Sequence, residues 1–400
     1  MIKTRFAHTL SIALVIGLMA GLCGCEVVTN IFLGADQDAS DGKDINVLYA
    51  PIPMDIGLVL PLTGEYAAPY GFSMQRGFEL AREQINSSPV SPVRINFITE
   101  DDMSTADGMV AAFERLVATG VPAITGIVIS THAEHAFPIA QENGVVTISS
   151  ASSAAGLSSI GDYIFRVALA VDKMNPAGVN ITHAQLGYER AAMIYDDADV
   201  WSTSSNEHLA AALLDLGVEI TTTQTVQTGD TEFAAQLTAI AESQPDALFI
   251  SGLAAEVVGI MRGAHDMGID VPYIAPEISA NEVGLAGDAA EGAITFVSWS
   301  NLSDNPLSQM FVENHRINYG IEADPWAAQS YTTLLILYAG IVTALSTDIE
   351  APDAAAIRDA LATVENMDTP LGAFSFDENG EAVYQPTVLV VRDGQFELFE

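Results

Sequence analysis

Cysteine is nearly absent from this sequence of 400 residues. The two that occur, Cys23 and Cys25, both lie close to the amino terminus. The rest of the chain can therefore form no internal disulfide, and its folded state must be stabilised by a hydrophobic core. A chain of this length can bury a sizeable core, and we expect it to divide into two domains.

Basic residues are also scarce. The sequence has 14 lysine and arginine residues against 52 aspartate and glutamate residues, which gives a formal net charge of −38. A strongly negative protein repels other polyanions, so nucleic acid and anionic membrane surfaces are poor partners. We interpret most of the acidic residues as a solvated coat that keeps the protein soluble, a composition that also fits a salty habitat.

The amino-terminal hydrophobic run is too short for a comfortable transmembrane helix. A positively charged start precedes an apolar run over residues 9–22, which is typical of an export signal. The run ends in the tetrapeptide LCGC, which resembles a bacterial lipobox. We therefore predict a lipoprotein signal peptide over residues 1–25 and lipidation of Cys25, with an ordinary secretory signal as the alternative. Residues 26–53, rich in aspartate and without periodicity, are predicted to form an acidic flexible tether.

Motifs that carry catalysis are missing. The sequence contains no G-x-S-x-G elbow, no G-x-G-x-x-G and no phosphate-binding loop. His132, Glu134 and His135 form an HAEH cluster, but the two histidines are three residues apart and no third ligand is evident, so no metal site is predicted. Ser130 and His132 lack a third group that would orient the histidine. We therefore predict that the protein is not an enzyme and uses no cofactor.

The first βα unit organises the chain. Residues 56–60 form a short apolar run that suits a strand buried on both faces. The loop over residues 63–71 follows, and apolar residues then return at helical spacing from Met74 to Ile85. Strand, loop and helix in this order predict a parallel α/β sheet. Ligands of such sheets bind beyond the carboxyl ends of the strands, so this loop is expected to face a site.

The same alternation continues to the end of the chain and predicts two βα-rich halves. Further strands are predicted at residues 93–98, 124–129, 145–148, 191–195, 218–223, 247–250, 273–275 and 293–297. A long apolar helix is predicted over residues 327–344. A β-hairpin is predicted to close the chain, with residues 374–376 and 387–391 as its strands and a turn at 377–380. The absence of a helix-turn-helix pattern and of a basic arm favours a two-lobed receptor over a repressor.

The order and spacing of several features resemble a known family. Together residues 55–86, the serines at the strand ends, Arg166 and Pro276-Glu277 are similar to the periplasmic branched-chain amino-acid-binding proteins, the type I substrate-binding components of ABC transporters. The resemblance implies two Rossmann-like lobes with a hinged cleft, joined by three crossovers. The lobes are predicted to comprise 54–167 plus 302–370 and 168–301 plus 371–400.

The resemblance also implies a function. The protein is expected to be an exported, lipid-anchored lipoprotein on the periplasmic side of a bacterial membrane. It would capture an amino acid, aliphatic or branched-chain, as a monomer and deliver it to a membrane permease of the ABC type. Two alternatives remain open: a ligand-sensing receptor subunit of the same fold, or a binder of an amide, urea or aromatic acid.

A zwitterionic ligand needs donors for its carboxylate, and the strand-end serines supply them. Ser130 and Thr131 stand where a strand gives way to a helix, and we predict that both bind ligand. From the residues alone Ser130 could equally be an N-cap. By the resemblance, Ser130 binds the ligand carboxylate, while Ala151, Ser152 and Ser153 contribute backbone groups and a hydroxyl.

The ligand ammonium needs an acceptor, and the pocket needs walls. Glu277 follows a strand and a proline, and the resemblance implies that it pairs with the ammonium; a solvated surface acid is the alternative. Tyr70, Trp201 and Trp326 fall at or beside positions where the family carries ligand-contacting aromatics, although an isolated aromatic is usually part of a core. Leu253 stands where the leucine-binding member has a tyrosine, which leaves the side-chain specificity open.

Overall fold

The computed structural model describes residues 50–345 and 351–399. The predicted signal peptide, Cys25 and residues 26–49 of the predicted tether lie outside these residues. The last part of the tether prediction is wrong, because the first strand, β1, begins at Ile52. Residues 56–60 of that strand are all buried, as a strand covered on both faces requires.

The first sheet has five parallel strands in the order β2-β1-β3-β4-β5. Its strands are β1 (Ile52–Leu60), β2 (Val93–Asp101), β3 (Ala123–Gly126), β4 (Val146–Ser149) and β5 (Ile164–Arg166). The connecting helices are α1 (Phe72–Ser87), α2 (Ala106–Thr119) and α3 (Ser130–Asn143). The strand order reverses between β1 and β3, so the loops after these two strands border a crevice in which ligands commonly bind.

The second sheet repeats this winding. Its seven strands follow the order β15-β14-β10-β9-β8-β6-β7, in which β6 to β10 are parallel. The parallel strands are β6 (Arg190–Asp196), β7 (Glu219–Val226), β8 (Ala247–Ser251), β9 (Tyr273–Ile274) and β10 (Ile294–Val297). The helices of this half are α4 (Val171–Leu186), α5 (Val200–Asp215), α6 (Ala234–Ser243), α7 (Ala254–Asp266) and α8 (Ala280–Ala286). The predicted α/β class is confirmed.

The end of the chain differs from the prediction. β12 (Gly372–Phe376) pairs with β11 (Met367–Thr369) and with β13 (Ala382–Val383) in a small antiparallel sheet. β14 (Thr387–Arg392) instead pairs with β10 and with β15 (Gln395–Leu398) at the edge of the second sheet. The predicted hairpin between residues 374–376 and 387–391 is therefore wrong, although its turn at residues 377–380 exists.

Three further helices close the fold: α9 (Pro306–Tyr319), α10 (Pro325–Leu345) and α11 (Ala354–Leu361). The predicted helix over residues 327–344 is α10, which packs against α1. By length and composition α10 could cross a membrane, but 83% of its most apolar stretch is buried inside the fold, which marks it as a core helix. The two helices touch at Gly77, where a Cβ atom would lie 2.2 Å from the carbonyl oxygen of Ala327.

Candidate functional site

The carboxyl ends of the two sheets face each other across a cavity. The cavity contains about 490 Å³ of empty space, part of it open to solvent. Eight residues singled out from the sequence line it: Tyr70, Ser130, Ala151, Ser153, Trp201, Leu253, Glu277 and Trp326. Three of these come from the second half of the chain between residues 200 and 280, so the cavity is built by both halves.

The turn after β3 directs Ser130 into the cavity. Gly126 has a φ of 106° and lies so close to β1 that a Cβ atom would meet the carbonyl oxygen of Val59. The next residue, Ile127, has a φ of 59°, which is a strained conformation for a β-branched side chain. Its backbone is held on both sides, because its N–H donates to Val59 and its carbonyl accepts from Ala151. Strain of this kind persists where the surrounding structure fixes it, often at binding sites.

Ser130 is the first residue of α3, and its side chain is buried. The N-cap position is occupied by Ile129 and has no side-chain cap, so the N-cap interpretation of Ser130 is wrong. The Ser130 hydroxyl instead accepts a hydrogen bond of 3.2 Å from the backbone N–H of Ala154. The first N–H groups of a helix have no partners within the helix and carry the positive end of its dipole. A ligand carboxylate would be stabilised at this helix end.

Thr131 and Ser152, which were also predicted to bind ligand, do not line the cavity. The Thr131 hydroxyl donates to Asp199 Oδ1 at 2.7 Å and accepts from the N–H of Val200 at 3.0 Å. Thr131 therefore joins the first half of the chain to the amino end of α5. The Ser152 hydroxyl lies 2.7 Å from that of Ser149 and stabilises the loop after β4.

Glu277 meets Ser153 at the boundary between the two halves. The Ser153 hydroxyl donates to Glu277 Oε2 at 2.7 Å. Glu277 is partly exposed and has a φ of 60°, and its N–H donates to the carbonyl of Phe296. Burial raises the pKa of Glu277 to about 7, although hydrogen bonding from Ser153 and the nearby Trp201 and the charge of Arg166 act in the opposite direction. The carboxylate is therefore short of cationic partners, which a ligand ammonium would supply.

Aromatic side chains form part of the wall. Tyr70 packs edge-on against Trp326 with the ring centroids 5.2 Å apart, and its hydroxyl accepts from the N–H of Ala254 at 3.2 Å. Trp201 and Trp326 are both buried, and neither indole Nε1 has a hydrogen-bond partner of ordinary geometry. The cavity thus combines aromatic surface with two buried indole N–H groups, of which that of Trp201 is close enough to Glu277 to lower the pKa of its carboxyl.

The sequence reasoning missed the other lining residues. These are Val128, Ile129, Gly252, Ala254, Val257, Pro276, Ile278 and Glu282. All except Glu282 are apolar or glycine, and most directly follow a strand end or begin a helix. Extending the strand-end rule by one or two residues would have found Val128, Gly252 and Pro276, but not Val257 or Ile278. Glu282 gave no such signal, and its carboxylate accepts from the N–H and hydroxyl of Ser279 in a capping box.

The HAEH cluster does not form a metal centre. His132 is buried, and its Nδ1 lies 3.8 Å from Asp102 Oδ2, whereas Glu134 and His135 are exposed. Among residues 50–345 and 351–399, no group of three or more His, Cys, Asp or Glu side chains is arranged to hold a metal ion.

Comparison with known proteins gives consistent matches. A family model described as "Periplasmic binding protein" matches residues 53–395. The Leucine-, isoleucine-, valine-, threonine-, and alanine-binding protein of Pseudomonas aeruginosa is 23% identical over 82% of this chain and 86% of its own length. Leu/Ile/Val-binding protein homolog 3 of Brucella melitensis is 24% identical over 82% of this chain and 88% of its own length.

Solved structures share the fold. The leucine-binding protein LivK of Thermotoga maritima superimposes with a TM-score of 0.80 at 24% identity, covering 87% of this chain and 98% of its own. An ABC-transporter solute-binding protein of R. palustris in complex with benzoate gives a TM-score of 0.77 at 22% identity, covering 86% and 95%.

Proposed function

The chain belongs to the periplasmic binding protein family, since the family model covers residues 53–395, and from this premise we propose that it captures an amino acid between two lobes and delivers it to a membrane permease. Its fold is the type I periplasmic-binding-protein fold of the leucine-binding structures, as predicted. Its general class is that of a substrate-binding protein of the Leu/Ile/Val-binding type. Such relatives are solute-binding proteins and not enzymes.

The observation that carries the amino-acid proposal is that the same cavity is lined by hydrogen-bond donors and by a carboxylate short of cationic partners. The helix end at Ser130 and the buried indole N–H of Trp326 supply donors that suit a carboxylate. Glu277 supplies an acceptor with too few cationic partners. The rest of the wall is largely apolar and includes side chains such as Leu253 and Val257. An α-amino acid with an apolar side chain has a carboxylate, an ammonium and an apolar group that match these three features of the cavity.

An aromatic acid is the second candidate. Similarly folded proteins occur in complex with benzoate and 4-hydroxybenzoate, and Tyr70 and Trp326 offer aromatic walls. Because an aromatic acid has no ammonium, an ionised Glu277 would repel it. The two candidates therefore predict opposite effects of removing the charge of Glu277.

The deciding experiment is a thermal-shift and calorimetry panel of aliphatic amino acids, amides and aromatic acids, run on the wild type and on Glu277→Gln. We expect an aliphatic amino acid to bind the wild type, and Glu277→Gln to weaken it by about 2–5 kcal/mol if the ion pair is fully desolvated. Asp266→Asn, at an exposed position on α7, is the matched control and should leave binding unchanged. Binding of aromatic acids alone, unaffected or strengthened in Glu277→Gln, would overturn the amino-acid proposal.

Location and anchoring complete the proposal. A periplasmic location follows from the family, whereas attachment through Cys25 and action as a monomer are proposed from the sequence. Mass spectrometry of the membrane-extracted protein should find a lipidated amino terminus at Cys25, and Cys25→Ser should release the protein from membranes. Transport of a radiolabelled ligand by the reconstituted permease separates delivery from the sensing alternative, in which binding occurs without uptake.

A further inference from the structure

Arg166 is the largest of the fully buried side chains in the described part of the chain. It lies at the end of β5, with no exposed surface, and it does not line the cavity. A buried guanidinium is costly unless its charge is paired and its donors are used. The partners of Arg166 therefore indicate what this residue does.

One group of partners belongs to residues 151–154, the loop after β4 that we call the ligand loop. Arg166 Nη1 donates to the carbonyl oxygen of Ser152 at 3.0 Å and to that of Ala154 at 2.5 Å. These two carbonyls flank Ser153, whose hydroxyl donates to Glu277. A planar guanidinium thus fixes the backbone on both sides of the serine that contacts the proposed ammonium-binding acid.

The second partner is Glu381. Arg166 Nε and Nη2 donate to its two carboxylate oxygens at 3.0 Å and 2.5 Å, a bidentate arrangement that is geometrically specific. The hydroxyl of Ser158, which follows the ligand loop, also donates to Glu381. The backbone N–H of Arg166 donates to the carbonyl oxygen of Gly380. The pair therefore ties the ligand loop to the segment that leads from β12 to β13.

Arg166 also acts on Glu277 through its charge. It lowers the pKa of Glu277 against the raising effect of burial. Tyr384, from the same carboxyl-terminal segment as Glu381, lies close enough to Glu277 for the two groups to interact. Tyr70 and Glu282 are the other titratable groups that line the cavity with Glu277.

We propose that Arg166 and Glu381 form a positioning pair, which holds Ser153 and Glu277 in the geometry that binds the ligand. Neither residue contacts the ligand. Arg166 sets the backbone of residues 152–154 and supplies positive charge near Glu277, while Glu381 orients the guanidinium. The effect on affinity rests on the proposed function, whereas the effect on the titration of Glu277 is independent of which ligand the cavity binds.

The test uses variants that separate geometry from charge. Arg166→Lys keeps the charge but cannot bond both carbonyls and both oxygens of Glu381, because lysine lacks the planar fork. The double variant Arg166→Met with Glu381→Met removes both charges and keeps the volume. Glu381→Gln is a milder change that remains informative if the Arg166 variants fail to fold. Ile240→Ala, in the separate core cluster of the second half, is the control for lost stability alone.

Two measurements apply to each variant. The first is the dissociation constant for the best amino-acid ligand. The second is a pH titration of the tryptophan fluorescence without ligand. The part of the fluorescence change that is absent in Glu277→Gln reports the ionisation of Glu277 beside Trp201. We expect Arg166→Lys to weaken binding by about tenfold or more, with the midpoint of the titration close to that of the wild type. The double variant should weaken binding and move the midpoint to higher pH.

A purely structural role gives a different pattern. Arg166→Lys and the double variant would then lower the melting temperature, as Ile240→Ala does, but keep the wild-type dissociation constant and midpoint. That outcome, or an unchanged affinity and midpoint in Glu381→Gln where only this variant folds, would overturn the inference. If no amino acid binds the wild type, the proposed function fails, and the ligand-free titration still decides whether the pair acts on Glu277.

Discussion

Glu277 departs from three ordinary preferences of glutamate at once. Its backbone has a positive φ, burial raises the pKa of its carboxyl, and the cationic group that lowers this pKa, Arg166, is already paired with Glu381. Burial alone would favour the protonated form of this acid. Because each departure is unfavourable in the absence of a compensating interaction, the residue is suited to bind a cation and poorly suited to stabilise the fold.

The pH dependence follows from the pKa of Glu277, which burial raises from 4.5 to about 7. In the ligand-free protein, the stability that this group contributes is present below pH 4.5 and lost as the pH rises towards 7, because the unfolded chain ionises more easily. A ligand ammonium binds the ionised form, so affinity has the opposite dependence. We expect the amino acid to bind more tightly at about pH 8 than at about pH 5.5, as measured by calorimetry.

Glu277→Gln is the control for this dependence, since its side chain does not titrate. Its affinity should be low and nearly constant over the same pH range. A wild-type affinity that is flat between pH 5.5 and 8 would contradict the role assigned to Glu277.

For individual residues, the sequence predicted which side chains line the cavity better than it predicted the hydrogen bonds that they make. The strand-end rule places Ser130 and Ser153 at the carboxyl edge of the first sheet and Glu277 at that of the second, and all three line the cavity. It cannot distinguish Ser130 from its neighbour Thr131, because the direction of each side chain depends on the strained turn at Ile127. It also cannot show that Asp199 would take the hydroxyl of Thr131, since these residues meet only when both halves are folded.

Among the secondary structure elements, the last strands were predicted at the right residues but with the wrong pairing. Residues 388–391 form a continuous apolar run, and nothing in this run identifies the strand with which it pairs. The prediction paired this strand with residues 374–376 of β12, but in the fold β14 pairs with β10, about 90 residues earlier, and with β15. Short-range pattern predicts which residues form strands, whereas their pairing depends on the packing of distant elements.

The contact between α1 and α10 gives a prediction at the scale of elements. In Gly77→Ala the new methyl group would lie 2.2 Å from the carbonyl oxygen of Ala327, so the two helices must separate. We expect a loss of about 1–3 kcal/mol in the free energy of unfolding, measured by urea denaturation, because overpacking is relieved only by backbone movement.

Gly284→Ala in α8 is the matched control. A Cβ atom at Gly284 meets nothing within 4 Å, so helix propensity alone should stabilise the protein by about 0.5–1 kcal/mol. Equal effects of the two substitutions would show that the approach of α1 to α10 is looser than described. Trp326, the second residue of α10, lines the cavity. Ligand affinity should therefore fall together with stability in Gly77→Ala.

In the whole molecule, the two halves also meet outside the cavity, at Thr131. Its hydroxyl bonds Asp199 and the N–H of Val200, so Thr131→Val removes two hydrogen bonds between the halves and no group that lines the cavity. We expect a weaker apparent affinity, by about 0.5–1.5 kcal/mol per bond, with an unchanged order of ligand preference. Calorimetry measures the first and a competition panel the second.

Thr125→Val is the control for this substitution, because Thr125 is buried and bonds only the carbonyl of Ile148 within the first sheet. It should lower stability and leave the affinity unchanged. If Thr131→Val changes the order of preference, Thr131 contacts the ligand, as the sequence first implied.

The net charge of −38 gives a second prediction for the whole molecule. Self-repulsion among carboxylates destabilises a compact state, and salt screens it over a Debye length of about 10 Å at 0.1 M and about 3 Å at 1 M. The melting temperature should therefore rise as KCl increases from about 0.1 M to about 1 M. A melting temperature that falls over this range would show that ion pairs such as Arg190–Glu219 matter more than the excess of acid.

The packing of α10 on α1 has a consequence for how the polypeptide is made. The helix that covers α1 starts at Pro325, so more than 250 residues must follow β1 from the ribosome before that apolar surface can be shielded. During this interval the nascent chain exposes side chains that would aggregate, and a holding chaperone has a wide window in which to bind. The late position of α10 in the sequence thus delays the covering of α1 until most of the chain has been synthesised.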